Sequence, residues 1–233
     1  LVRGELARAA AVKLGVDLPH DKRLRHLCEA VLADPTRHDT LADWAQDTGA
    51  SPRTGLAQAV RETLGPVAVS GCNISVKKGD KDFSAAVTQI KGQSPDSVFY
   101  SGYYSEAAPF VQQLRDGGYT GKFVSADGAK DPEFVKQAGQ ASKDAILSCP
   151  CGPATGSFAD EYTKKFSQPP GTYSTEGYDL GTILLKGIDS GAVTRPALLD
   201  YVKKYDGQGV ARKYQWTDKG ELTTTLIWIY KVQ

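Results

Sequence analysis

The stretch DKDFSAAVTQIKGQSPDSVFYSGYYSEAAPFVQQLRDGGYTGKFVSADG, residues 80–128, decides the fold. Asp82 stands where a helix cap belongs, and Phe83, Ala86, Val87 and Ile90 follow at i, i+3, i+4 and i+7. That spacing lines one face of a helix. DSVFYSG, from Asp96 to Gly102, then reads as a buried strand. Ala107, Phe110, Val111 and Leu114 repeat the helical spacing, and Gly117-Gly118 stops it. KFVSAD, Lys122 to Asp127, is a second strand. Short β-rich runs alternating with amphipathic helices predict βα units on a parallel sheet.

The same alternation extends in both directions. Upstream, Leu56, Ala59, Val60 and Leu64 form a helix face ended by Gly65-Pro66, and VAVSG follows as a strand. Downstream, a helix starts at Pro132 and AILSCP, Ala145 to Pro150, is another strand. Helices are predicted near 156–168, near 175–191 and from Pro196 to about Tyr205. The tail KYQWTDKGELTTTLIWIY predicts a β-hairpin turning at Asp218-Lys219-Gly220.

Residues 1–54 are written differently and contain no strand-like run. Leu24, Leu27, Cys28 and Val31 fall at helical spacing, ended by Asp34-Pro35. Thr40 caps a second helix with Leu41, Trp44 and Ala45 on its face, and Gly49 stops it. Ser51 caps a third, with Pro52 at its first position. This is a helix-turn-helix pattern. RLRHLCEAVLADPTRHDTLADWAQDTGASPRT, residues 23–54, resembles the first helix-turn-helix of AraC/XylS-type transcription regulators. The resemblance implies that Ser51, Arg53 and Thr54 face DNA. Only one of that family's two motifs is present, and Gly55 intrudes where the recognition helix should continue.

Charge argues against nucleic acid as the partner. Residues 1–54 hold eight Lys/Arg and eight Asp/Glu, and the remainder holds 20 and 19. Neither part has the basic excess that drives phosphate binding. No run of 18 apolar residues exists, so no membrane-spanning segment is expected. The chain starts at Leu1 and lacks Met, which reads as a processed, truncated or engineered product. Cys28, Cys72, Cys149 and Cys151 make no zinc pattern with the three histidines. Buried, inert thiols are expected, because a Cys-x-Cys pair is cramped for a mutual disulfide. No metal and no cofactor is expected. Ser75-x-x-Lys78 matches a nucleophile spacing but precedes a Gly79-Asp80 loop instead of opening a helix, so no enzyme is expected.

Ligands of such sheets bind outside the carboxyl ends of the strands. Tyr100 to Tyr104 close one strand, and Ser125, Asp127 and Gly128 close the next. Aromatic walls plus a carboxylate suit an amino acid, with the carboxylate holding its ammonium. Packing tyrosines and an Asp-Gly turn are the plainer alternative.

Beyond these features, residues 80–128, the TEGYDLGTILLKGI helix and the closing hairpin resemble type I periplasmic binding proteins of branched-chain amino-acid ABC transporters. The likeness runs from about Gly55 to Gln233. It implies a Rossmann-like α/β lobe over 55–233, an amino-acid ligand, an ABC transporter permease as partner and an extracytoplasmic location. It also implies that Tyr103 and Asp127 contact the ligand's ammonium; Ser101 and Tyr104, from the same strand end, are expected as further ligand-binding residues. Asp127 is one methylene shorter than that family's frequent Glu, which leaves the ligand's identity open. The family folds as two lobes, and most of the first is missing here, so weak or absent binding is expected. The alternatives are a ligand-responsive helix-turn-helix regulator, cytoplasmic and DNA-binding, or an artificial fusion of 1–54 with 55–233.

Overall fold

The computed structural model describes residues 27–33 and 68–233, apart from Thr225. These residues fall into two compact units. The first takes in the chain up to Cys149 and returns for Ile229–Gln233; the second is Pro150–Trp228.

The first unit is built on a six-stranded sheet. Its strands are β1 (Leu27–Ala33), β2 (Ala68–Lys77), β3 (Ser97–Ser101), β4 (Lys122–Ser125), β5 (Ile146–Cys149) and β8 (Trp228–Lys231). Their order is β2-β1-β3-β4-β5-β8. β1 pairs in parallel with both β2 and β3, β3 with β4, and β4 with β5. The connecting helices are α1 (Ser84–Gln93), α2 (Tyr104–Asp116) and α3 (Pro132–Ala138).

The predicted helix faces are the buried faces. Phe83, Ala86, Val87 and Ile90 of α1 and its entry are buried, as are Ala107, Phe110, Val111 and Leu114 of α2. All five residues of β3 are buried. Such a strand, covered on both faces, reads as a continuous apolar run. An aromatic chain fills the core between sheet and helices. Phe83 meets Phe110 at 5.3 Å between centroids, Phe110 meets Tyr100 at 5.7 Å, and Tyr100 meets Phe123 at 6.1 Å. Phe134 completes it, stacked on Phe123 at 6.0 Å. Such ring pairs are each worth about 1 kcal/mol beyond their buried area.

Several expectations are corrected. Residues 27–33 form strand β1, not the first helix of a helix-turn-helix. LCEAVLA is apolar at six of seven positions, and a short continuous apolar run fits a helix face and an interior parallel strand equally well. The strand's two-sided pairing decides between them. Ser51, Arg53 and Thr54, and the helix expected at Leu56–Leu64, lie outside the described residues. β2 runs ten residues, well past the VAVSG stretch. Cys149 and Cys151 are buried as expected, but both are disulfide-bonded rather than inert thiols.

The second unit contains α4 (Ser157–Phe166), α5 (Ser174–Asp189), α6 (Arg195–Lys204) and a two-stranded antiparallel ribbon of β6 (Asp206–Gln208) and β7 (Lys213–Gln215). The predicted turn at 218–220 is present, with Gly220 at φ 78° and Trp216 bridged to Leu222. The predicted hairpin is short, reaching only to Thr223 N–H, which donates to Gln215 C=O at 2.9 Å. β7 pairs with β6, and the tail joins the six-stranded sheet as β8. The tail is longer than one hairpin arm needs, and its apolar end finds a sheet edge instead. Val232 N–H donates to Ala145 C=O, and Asp144 N–H donates to Val232 C=O, both at 3.0 Å.

Candidate ligand-binding edge

Two strand-end turns of the first unit meet at the carboxyl edge of its sheet. The strand order reverses between β1 and β3, which is where ligands of doubly wound sheets bind. The turn following β3 therefore sits at the switch point. Ser101 is the last residue of β3 and is buried. Tyr103 is extended at φ −100° and ψ 164° and stands immediately before α2, whose first residue is Tyr104. Ala107 N–H closes the first helical turn on Tyr103 C=O at 2.9 Å. Tyr103 and Tyr104 are half-buried and pack against the aromatic core.

The second turn follows β4. Asp127 is exposed and opens a short 3-10 helix, Asp127–Ala129. Lys130 N–H donates to Asp127 C=O at 3.0 Å. Gly128 makes the two turns touch. A Cβ there would collide with Gly102 C=O and lie 3.0 Å from Tyr103 Cδ1. Glycine is thus required for close approach, not for an unusual φ. The structure brings Tyr103, Tyr104 and Asp127 to one edge, with Ser101 behind them.

Serine hydroxyls tie the strand ends below. Ser125 Oγ donates to Tyr100 C=O at 2.7 Å, linking β4 to β3, and Ser148 Oγ donates to Ser125 C=O at 3.4 Å. Tyr100, named with the site by its position, is wholly buried and belongs to the core. Ser75 is exposed on β2, and Lys78 follows in the turn, a solvated strand end.

Sequence reasoning missed Glu106. Its carboxylate is buried in the first turn of α2. Oε1 accepts from Gly79 N–H at 2.9 Å and Oε2 from Ser105 Oγ at 2.7 Å. The signal was available, since Glu106 stands at i−4 from Phe110 on an otherwise apolar face. Among the described residues, no cluster of His, Cys, Asp and Glu is arranged to hold a metal.

This parallel sheet, with paired turns at its switch point, defines a doubly wound α/β class. A profile of the family described as periplasmic binding protein matches residues 42–233. The chain belongs to that family. An amino acid binding protein of Pseudomonas aeruginosa is 29% identical over 186 residues, covering 76% of this chain and 49% of the relative. A leucine-, isoleucine-, valine-, threonine- and alanine-binding protein of the same organism is 26% identical over 150 residues, 61% of this chain and 39% of the relative. Among solved structures, a leucine-binding protein from Thermotoga maritima superposes with TM-score 0.78 at 21% identity, covering 99% of this chain and 61% of that one. The last likeness shows the fold. The chain spans about half the length of the curated relatives it matches.

Proposed function

We propose that the chain is part of the solute-binding component of an ABC transporter for branched-chain or similar amino acids, working outside the cytoplasm with a permease. The observation that carries this is the contact of the two turns through Gly128, which sets Tyr103 beside the loop that begins at Asp127. Asp127 supplies the carboxylate for the ligand's ammonium, and the rings of Tyr103 and Tyr104 supply apolar and cation-facing surface. Ser101 supports the turn from beneath. The binding names of the Pseudomonas relatives point to the same ligand class. The transcription-regulator reading loses its first helix to β1 and is not favoured.

Calorimetric titration with leucine, isoleucine and valine tests the proposal. Heat is expected with at least one, at modest affinity, and it should disappear in Y103A and D127N. No heat from any of the three, on a folded sample, overturns the reading.

A further inference from the structure

Glu106 does more than fill the first turn of α2. Its two oxygens reach in different directions, one to the turn after β2 and one to its own chain neighbour. The turn after β2 is otherwise closed on itself. Lys77 N–H donates to Asp80 Oδ2 at 2.7 Å, and Asp80 N–H donates to Lys77 C=O at 3.1 Å. Gly79, at φ +87°, then turns its N–H out of the loop and onto Glu106. Two turns further along α2, Gln113 repeats the device. Its Oε1 accepts from Phe83 N–H and its Nε2 donates to Lys81 C=O, both at 2.7 Å. Glu106 and Gln113 are seven residues apart and share one stripe of the helix. They fasten the whole loop 79–83 along α2. Glu106 is the fastening nearest Tyr103 and Tyr104.

We propose that Glu106 is a positioning residue for the ligand-binding edge. It locks the turn after β2 to the start of α2, and so fixes the Tyr103–Tyr104 turn against a third strand end. A carboxylate suits this task because a charge-assisted bond from a backbone N–H is stronger than a neutral one. Its burial makes the geometry exacting, since the charge has to be met by the donors around it. The inference rests on the proposed function only for its ligand, not for the fastening itself.

The experiment compares amide exchange and amino-acid binding in E106M, E106Q and S142A. E106M keeps the side-chain volume and removes both acceptors. E106Q keeps Oε1 for Gly79 N–H and offers Nε2 to Ser105 Oγ. S142A removes a buried hydroxyl bonded to Gly139 C=O, ahead of the amino end of β5, and controls for general loss of stability. In E106M, exchange at Gly79 N–H and Ala107 N–H should speed up about tenfold, the loss expected for one charge-assisted bond. Leucine, isoleucine or valine affinity should fall by a similar factor. E106Q, which keeps the acceptor but loses the charge, should fall between E106M and the parent, and S142A should leave both readouts near the parent's.

Unchanged exchange in E106M overturns the proposal, as does equal affinity of E106M and the parent for a ligand that binds. If the parent binds none of the three amino acids, the proposed function falls and exchange alone decides the fastening. If E106M does not fold, E106D decides. It keeps the charge but is one methylene shorter, which withdraws the acceptor from Gly79 N–H, so faster exchange at Gly79 supports the proposal and unchanged exchange overturns it.

Discussion

The two units of the chain solve the packing problem differently. The first buries whole helix faces on a parallel sheet, around a chain of five aromatic rings. In the second, neither α4 nor α6 has a buried residue. α5 turns Thr175, Glu176, Asp179, Ile183 and Gly187 inward. Yet it also exposes Tyr178, Leu180, Leu184, Leu185 and Ile188. Apart from Val135, every exposed large hydrophobic residue recorded among the described residues lies in the second unit. Beside Cys151, Ile183 and Tyr214, what the second unit buries is polar. Arg212 donates to Pro150 C=O and to Glu176 Oε1 at 3.2 Å, and lies 5.3 Å from the Trp228 ring. Asp179 accepts from Val210 N–H and Ala211 N–H, each at 2.7 Å. Burial raises the pKa of the Tyr214 hydroxyl, and the Asp179 carboxylate adds to that rise. One unit is held by apolar area, the other by a few buried bonds.

The largest test of that contrast is truncation on each side. F110A empties a site that is wholly buried among Phe83, Tyr100 and Phe123, and should destabilise the first unit by about 3–5 kcal/mol. L185A removes a side chain that is 62% exposed and should stay within about 0.5 kcal/mol. Denaturant unfolding followed by amide exchange in each unit reads both. Equal costs would show that α5's outer face is covered after all.

Next comes the buried ion pair. E176A strips Arg212 of its carboxylate, with both side chains nearly out of solvent. It should cost about 3 kcal/mol, because one charge is left buried without its partner. The same variant deprives Gly152 N–H of its acceptor, now at 3.1 Å. Loss of protection confined to the second unit is the expected pattern in exchange. A cost spread equally over both units would break the comparison.

The legibility of the sequence follows the same division. Positions that earn their place by apolar periodicity, such as Phe83 to Ile90 and Ala107 to Leu114, were read correctly because helix period and burial coincide. The α1 start was one residue off, yet Asp82 still serves it, its Oδ1 accepting from Ser84 N–H at 2.9 Å. LCEAVLA failed because apolar content alone does not separate an interior strand from a helix. The closing strand failed because its partner lies far away in sequence, beside Ala145. Tyr103 and Asp127 could be named from strand-end chemistry and family likeness. Glu106 stood out as a charge on an apolar helix face, but its bond to Gly79 and the close approach at Gly128 could not be read, since both depend on contacts between separate turns.

A smaller effect separates the helix caps. Asp131 Oδ1 accepts from Glu133 N–H at 2.9 Å at the start of α3, while Thr194 Oγ1 accepts from Ala197 N–H at only 3.4 Å at the start of α6. D131A should therefore lower the stability of the first unit by about 1 kcal/mol, and T194A should cost the second about half of that. Thermal melts of the two variants check the order.

The smallest expected effect is acid sensitivity at the seam where the tail joins the sheet. Asp144 Oδ1 lies 2.6 Å from Lys231 Nζ, and the hydrogen bond to that ammonium holds the Asp144 carboxyl below its ordinary value, helped by the ammonium's charge. A carboxylate depressed in the folded state adds stability above its unfolded pKa, about 3.9, and loses it as pH falls through the folded value. Both side chains are largely exposed, so solvent and salt screen the pair. Asp144 has φ +64°, a conformation that Asn tolerates well. D144N thus removes the charge without adding strain. Between pH 5 and pH 3 the parent should lose protection at Val232 N–H faster than D144N does, and high salt should narrow the gap. If D144N shows the same acid response as the parent, the tail is held by its backbone bonds to Asp144 and Ala145 alone. The ion pair would then contribute nothing to the sheet edge.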